Sequence, residues 1–436
     1  MSGLRGFLSP SGLLPKVRKI MKNVTGAICV ECGHIVKDIT PDTTVCPVCG
    51  GILDITYDYD YIKSVVTKED MAAREENSMW RYKEFLPVEG TGKLPKLRVG
   101  WSPFYKADRL ADQLGIKTLY IKDDGINPTA SLKDRASAMA VVKAEEAGKK
   151  IIACSSTGNA ASSLAGNAAA AGLKTYIFVP ERAPIGKVAQ LKTFGATVIS
   201  VKGNYEDTFR ISAEAIERWG WYNRNAAINP YLMEGKKTVA LEIAEQLNWQ
   251  MTDYVALSVG DGCTIAGAWK GFKDLYAAGF IDKLPKLISV QASCTCPINR
   301  AAAAKTLKWE TMPEETLADS ISVGVPRNAT KAIKAIMESD GLTVNVSDDE
   351  ILEAMRILGR TCGVFAEPAG AAGTAGVKKA IEEGLIPRDA SVVSVVTGNG
   401  LKDVNNAIKA AGQPLHVAPD MDALLKAFEE IGDPHK

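Results

Sequence analysis

From Gly100 onward, short apolar runs rich in β-branched and aromatic residues alternate with longer Ala-rich runs of helical spacing. TLYIK gives way to DRASAMAVVKAEEAG, KIIACSS to AASSLAGNAAAAG, TYIFVP to GKVAQLKTFG, and TVISV to a long helical stretch. Farther on come YVALSV with IAGAWKGFKDLYAAG, then KLISVQA and SVVSVVTG. Strands that are apolar on both faces and separated by helices predict parallel sheets covered by helices on each side. Several such units over more than three hundred residues predict two α/β lobes with a cleft between them. Before Gly100 the pattern is different. Residues up to Asp58 are punctuated by Gly and Pro with little helical period. From Tyr59 to Val99 runs a charged connector with a short helix at TKEDMAAREEN and a Gly-, Lys- and Pro-rich end, EGTGKLPK. The chain divides into a tail (1–25), a cysteine-bearing unit (26–58), a connector (59–99), the two-lobed body (100–416) and a C-terminal segment (417–436) whose stretch MDALLKAFEEIG reads as one amphipathic helix.

Composition narrows the functional classes. The chain has 436 residues, 46% apolar and 24% charged, with a formal net charge of +1. That balance argues against a broad basic face for nucleic acid, so the cluster Lys16, Arg18, Lys19 and Lys22 reads as a solvated tail. No apolar run reaches the length that crosses a bilayer, and the first twenty residues lack the pattern of a secretory signal; a cytoplasmic protein is expected. Histidine is scarce: His34, His416 and His435 are the whole set. None is well placed for a Ser-His-Asp or Cys-His hydrolase, which points to another nucleophile or to a cofactor.

Four of the nine cysteines form two Cys-x-x-Cys pairs, Cys29/Cys32 and Cys46/Cys49, with thirteen residues between them. Each pair makes a knuckle that aims two thiolates at one ion, and two knuckles complete a tetrahedral S₄ shell. Gly33, Gly50 and Gly51 ease the turns around it. A closed shell of four thiolates implies a structural ion, zinc by default and iron as the minority case. Zinc ribbons also serve nucleic-acid proteins, which keeps a retired enzyme of that class as a rival reading.

In the segment TLYIKDDGINPTASLKDRASAMAVV, Pro128 ends any strand ladder and Ser131 is expected to cap a helix whose first turn holds Lys133. There the helix dipole disfavours an ammonium and helps supply a free amine. A lysine beside Asp134 and Arg135 is, taken alone, an ordinary surface residue. Three further loops change that. CSSTGNAASS and SVGDGCTIAG each lead from a strand through glycine into a helix N-terminus, where backbone N–H groups hold anions. VSVVTGNG ends a very apolar, central strand with Thr397. Together they place an amine, two anion cradles and a hydroxyl at strand C-terminal ends.

The motifs Asn127-Pro-Thr-Ala-Ser-Leu-Lys133-Asp-Arg, Ser156-Thr-Gly-Asn159, Gly260-Asp-Gly-Cys-Thr264, Glu367-Pro-Ala-Gly and Thr397-Gly-Asn-Gly-Leu-Lys-Asp403 occur in that order. This set resembles the PLP-dependent (pyridoxal phosphate) threonine synthases, within the tryptophan-synthase-β-like group, over roughly Gly100 to Gly412. The resemblance implies that Lys133 carries the cofactor as a Schiff base and later shuttles protons. It implies that Asn159 meets the pyridine hydroxyl, that Thr397 faces the pyridine nitrogen, and that Gly260, Asp261, Gly262, Cys263 and Thr264 hold the cofactor phosphate. Ser156, Thr157 and Gly158 would cradle the carboxylate of a small amino-acid substrate. By analogy a homodimer is expected. A neutral hydroxyl at the ring nitrogen makes a milder electron sink, suited to elimination and replacement.

The chain departs from the family on the substrate side. Leu232 stands where the family usually has an arginine for the substrate's phosphate, with Ala226 and Ala227 at nearby polar positions and Ala160 where threonine is typical. Asp261 replaces an amide in the phosphate loop and is expected to point away from the anion or to contact something new. Lys236, Lys237, Lys187 and Arg182 are candidates to restore the missing charge. The leading activity is threonine synthase. The alternatives are a threonine or serine deaminase-like or cysteate-synthase-like enzyme acting on a different, unphosphorylated amino acid.

Overall fold

The computed structural model describes residues 21–89, 94–183, 185–225 and 227–431. Lys16, Arg18, Lys19, Ala226 and His435 lie outside these residues. The chain opens with an antiparallel three-stranded sheet of β1 (Val24–Cys29), β2 (Ile35–Val36) and β3 (Leu53–Tyr57), ordered β2-β1-β3. Its inward side chains Ala27, Leu53 and Ile55 join the main apolar core. The connector is less polar in effect than its charge suggests. Thr67 and Asp70 form a capping box on the short helix Lys68–Ala72. Beyond it Trp80, Tyr82, Phe85 and Leu86 are buried in the same core, and Arg81 pairs with Glu245 at 2.7 Å.

The body holds two sheets. The chain enters the larger one with β4 (Phe104–Lys106) and β5 (Thr118–Asp123). It leaves to build the smaller with β6 (Ile151–Ser155), β7 (Lys174–Pro180), β8 (Thr197–Val201) and β9 (Tyr222–Asn223). It then returns with β10 (Tyr254–Ser258), β11 (Lys286–Ala292), β12 (Leu342–Val346) and β13 (Ser391–Val396). The six-stranded order is β12-β11-β10-β13-β5-β4, with only β4 antiparallel, and the four-stranded order is β8-β7-β6-β9, all parallel. The two-lobed α/β reading holds, and β13 is central. The last strand in the chain therefore lies beside one of the first, a reversal of strand order of the kind at which α/β sheets bind ligands.

Two helices explain how the lobes come close. Helix Lys133–Glu146 is buried from Asp134 to Ala144, the mark of an element covered on every side. Helix Asn159–Ala171 packs on it through Ala161, Ala165 and Ala168, and a Cβ on Gly166 would touch the Thr129 methyl at 2.5 Å. Small side chains there allow near backbone approach. The C-terminal helix Met421–Ile431 forms as expected, but none of its described side chains is buried, so it closes nothing in the single chain. Among the described residues no helix is long and apolar enough to cross a membrane.

Candidate active site

Lys133 is the first residue of its helix and is exposed only in part, into the pocket it lines. Ser131 is not its cap. The cap position falls on Leu132 without a side-chain bond, and the Ser131 hydroxyl is buried with no partner. The loop is held by tertiary bonds instead: Leu132 N–H donates to Thr397 O at 2.9 Å, and Asn399 N–H donates to Ala130 O at 3.0 Å. The neighbours that made Lys133 look like a surface residue are wholly buried. Asp134 accepts from the Thr129 N–H and hydroxyl and from Asn167. Arg135 bridges Asp124 and Glu242, which also binds Lys122. Burial, with the charges of Lys236 and Arg224, brings the Lys133 amine down to about 8, against the pull of Glu367. An amine in that range keeps a far larger neutral fraction near physiological pH than an ordinary lysine does, and the neutral form is the nucleophile.

The predicted loops converge on this amine. The small pocket beside Lys133 is lined by Ala160, Gly260 to Thr264 and Thr397. Gly262 has φ +86°, and a Cβ there would meet Asn328 O at 3.0 Å; at Gly260 it would meet Ser320 O at 2.9 Å. Only glycine fits both positions, and the turn leads into helix Cys263–Ala277, whose first N–H groups lack intrahelical acceptors. This is a phosphate-sized cradle. Asp261 has a contact of its own at the pocket: its carboxylate accepts from the Arg327 N–H at 3.2 Å. Thr397, at the end of β13, is buried with its hydroxyl 3.4 Å from that of Ser258. Ser156 sits outside the lining of the adjoining cavity of about 440 Å³, whereas Thr157, Gly158 and Asn159 line it with Lys187, Glu367 and Lys402. The Ser156 hydroxyl instead accepts from the Gly158 N–H at 3.2 Å, bracing the turn.

Three residues of the site were assigned no role from sequence. Glu367 accepts from the Asn159 amide at 2.7 Å, and burial lifts its carboxyl to about 7, opposed by Lys133 and Lys402. Arg224, just past β9, is 2% exposed and lines the Lys133 pocket. Ser320 contributes a hydroxyl 3.4 Å from the Asn159 amide. Nothing in the local pattern marks Arg224; one arginine after a short strand is unremarkable until the strand's place is known. Of the proposed replacement cations only Lys236 lines that pocket. Lys237 is taken up by Glu234 and Asp274, Lys187 pairs with Asp319 at the cavity, and Arg182 is exposed.

Glu367 yields a pH prediction. Its folded carboxyl binds a proton that the unfolded chain releases between about pH 4.5 and 7, so stability falls as pH rises through that window. In the cofactor-free protein, Glu367→Gln should flatten the decline of Tm across it and raise Tm at pH 7 by a few degrees. An unchanged slope would remove Glu367 as the responsible group.

A match to the family model described as pyridoxal-phosphate dependent enzyme covers residues 96–398. The threonine synthase of Methanocaldococcus jannaschii is 42% identical over 92% of this chain and 99% of its own length. That of Methanosarcina acetivorans is 40% identical over 92% and 98%. The chain belongs to the threonine synthase family of PLP-dependent enzymes. Family membership extends beyond the two lobes, since alignments of this coverage take in most of the N-terminal third. Among solved structures, the processed form of threonine deaminase isoform 2 from Solanum lycopersicum superposes with a TM-score of 0.62 at 22% identity, covering 71% of this chain and 87% of that one. At that identity the likeness is one of fold. The buried amine, the glycine cradle at a helix N-terminus and the Thr397 hydroxyl fit the family's cofactor.

The four cysteines of the N-terminal unit come together as expected. Their sulfurs lie within 4.8 Å of one another, with Cys29–Cys49 at 3.5 Å and Cys32–Cys46 at 3.7 Å. Zinc–sulfur bonds of about 2.3 Å place tetrahedral sulfurs roughly 3.8 Å apart, so the cluster fits such an ion. The two knuckles are alike: Gly33 N–H bonds Cys29 O at 3.0 Å with φ +74°, and Gly50 N–H bonds Cys46 O at 2.9 Å with φ +71°.

Proposed function

We propose that the protein converts O-phospho-L-homoserine and water to L-threonine and phosphate, with PLP carried on Lys133 and zinc held by Cys29, Cys32, Cys46 and Cys49. The observation that carries this reading is identity above 40% to an archaeal threonine synthase along nearly the full length of both chains. Bound PLP would supply an electron sink for carbanions next to the amino group. The chain's own residues supply the rest. The Lys133 amine would take and return protons at the substrate's carbon atoms. The Gly260–Thr264 turn would hold the phosphate end of the cofactor, Asn159 would meet its ring hydroxyl, and the neutral Thr397 hydroxyl would face its ring nitrogen. Thr157 and Gly158 hold the substrate carboxylate at the start of helix Asn159–Ala171, with Ser156 keeping that turn in shape. We place the enzyme in the cytoplasm as a homodimer, acting on a small amino acid without nucleic-acid or membrane partners.

The test is coupled measurement of phosphate and threonine from O-phospho-L-homoserine by the PLP-loaded protein. Equimolar release of both is expected. 2-Oxobutyrate from threonine, with no phosphate released, would move the activity to the deaminase reading.

A further inference from the structure

We propose that Arg224 and Lys236 together bind the phosphate that leaves the substrate, and so set the enzyme's preference for a phosphorylated amino acid. This rests on the activity proposed above. Both side chains are buried, at 2% and 5% exposure, and both line the pocket at Lys133. Neither has a carboxylate partner among the described residues. Other buried cations in this chain do: Arg135 with Asp124 and Glu242, Lys122 with Glu242, Lys143 with Glu146, Lys237 with Glu234 and Asp274, and Arg81 with Glu245. The exceptions thus sit together, next to the reactive amine.

The guanidinium of Arg224 is also held in a fixed orientation. Its Nε donates to the Ser137 hydroxyl at 3.1 Å, and that hydroxyl lies 2.6 Å from Ser163. Its Nη2 is buried with no acceptor. An unpaired buried charge costs several kcal/mol, so a folded protein retains one where an anion arrives to meet it. Two cations match a phosphate dianion, and an arginine offers it a planar fork of donors. Leu232 lies one helical turn before Lys236 on the same helix, Pro230–Gln246, and is only 3% exposed within the apolar core of the smaller lobe. The charge missing at that position is delivered one turn later by Lys236 and from the end of β9 by Arg224. In that same pocket the Gly260–Thr264 backbone N–H groups already serve the cofactor's phosphate, so the two side-chain cations are available to a second anion beside it. The depressed Lys133 amine agrees, since both cations act on it.

The experiment compares wild type with Arg224→Leu, Arg224→Lys and Lys236→Met, measuring KM and kcat for O-phospho-L-homoserine, calorimetric binding of inorganic phosphate to the PLP-loaded protein, and PLP affinity by absorbance. Arg224→Leu should raise KM about 100-fold and weaken inorganic phosphate at least about 10-fold, with PLP affinity and the cofactor band retained. Arg224→Lys should recover part of both. Lost PLP affinity, with KM unchanged at saturating PLP, would assign the pair to the cofactor's phosphate and overturn the proposal. Unchanged KM and phosphate binding would overturn it too, leaving the pair structural. Arg224-dependent phosphate binding by a wild type that does not turn over O-phospho-L-homoserine would uphold the anion site and refute only the proposed substrate.

Discussion

Lys133→Ala should eliminate the absorption band of bound PLP and lower turnover by roughly 10⁴-fold or more, the upper range for loss of a positioned proton-transfer group. The reason lies in how the amine is prepared. It begins a helix that is buried along most of its length, its loop is bonded to the Thr397–Asn399 segment, and two cations without a carboxylate partner among the described residues stand by it. These features keep the amine near 8, where it can act as nucleophile and as base. Lys133→Arg separates charge from chemistry. It restores a cation at the same place but no nucleophile, and should be as inactive as the alanine variant. Both variants should keep the wild-type circular dichroism, because Asp134 and Arg135 carry the structural bonds of this turn. A Lys133→Ala protein that retained the cofactor band would refute the assignment.

Removing a metal held by the four cysteines should be the largest single loss of stability. The cysteine-bearing unit is bonded to the body at many points: Tyr57 to Glu234 at 2.5 Å, Lys270 to Ile55 O at 2.7 Å, Lys331 to Leu53 O at 2.6 Å, and Tyr231 to Thr40 O at 2.7 Å. If the knuckles open, those buried groups lose partners and the core around Leu53 and Ile55 is exposed. A structural zinc is worth about 10–16 kcal/mol in isolated finger peptides; where packing already supports the fold, about 5 kcal/mol is a reasonable share. For a cooperative unit of this length, roughly 1 kcal/mol moves Tm by about 1 °C, so chelation or Cys46→Ser should lower Tm by about 5 °C. Amides of β1 and β3 should lose hydrogen-exchange protection first. Because Glu234 and Lys236 share one helix, KM should rise as well. A chelated protein with full Tm and no bound metal to begin with would dismiss the structural ion.

The arrangement of strands and helices and the cysteine knuckles were legible in the sequence because each rests on local chemistry; Lys133 stood out only through the loops that accompany it and the family resemblance. Apolar runs on both faces mark parallel strands, paired thiols at fixed spacing mark a metal knuckle, and glycines before small-residue helices mark anion cradles. Where the reading failed, the deciding contacts lay far apart in the chain. Ser131 looked like a cap because caps are judged from near neighbours, yet the turn is fixed by Thr397, more than two hundred residues away. Lys133 by itself looked like a surface residue beside Asp134 and Arg135, yet Thr129, Asn167, Asp124 and Glu242 hold both neighbours in the interior. Leu232 read as a lost charge. Only the fold, by bringing the end of β9 and the second turn of helix Pro230–Gln246 to one pocket, revealed that Arg224 and Lys236 stand there without a carboxylate partner among the described residues. Sequence determines which groups are available and what backbone each can adopt. Which charges meet, and which are left for a ligand, depends on long-range packing that no local pattern encodes.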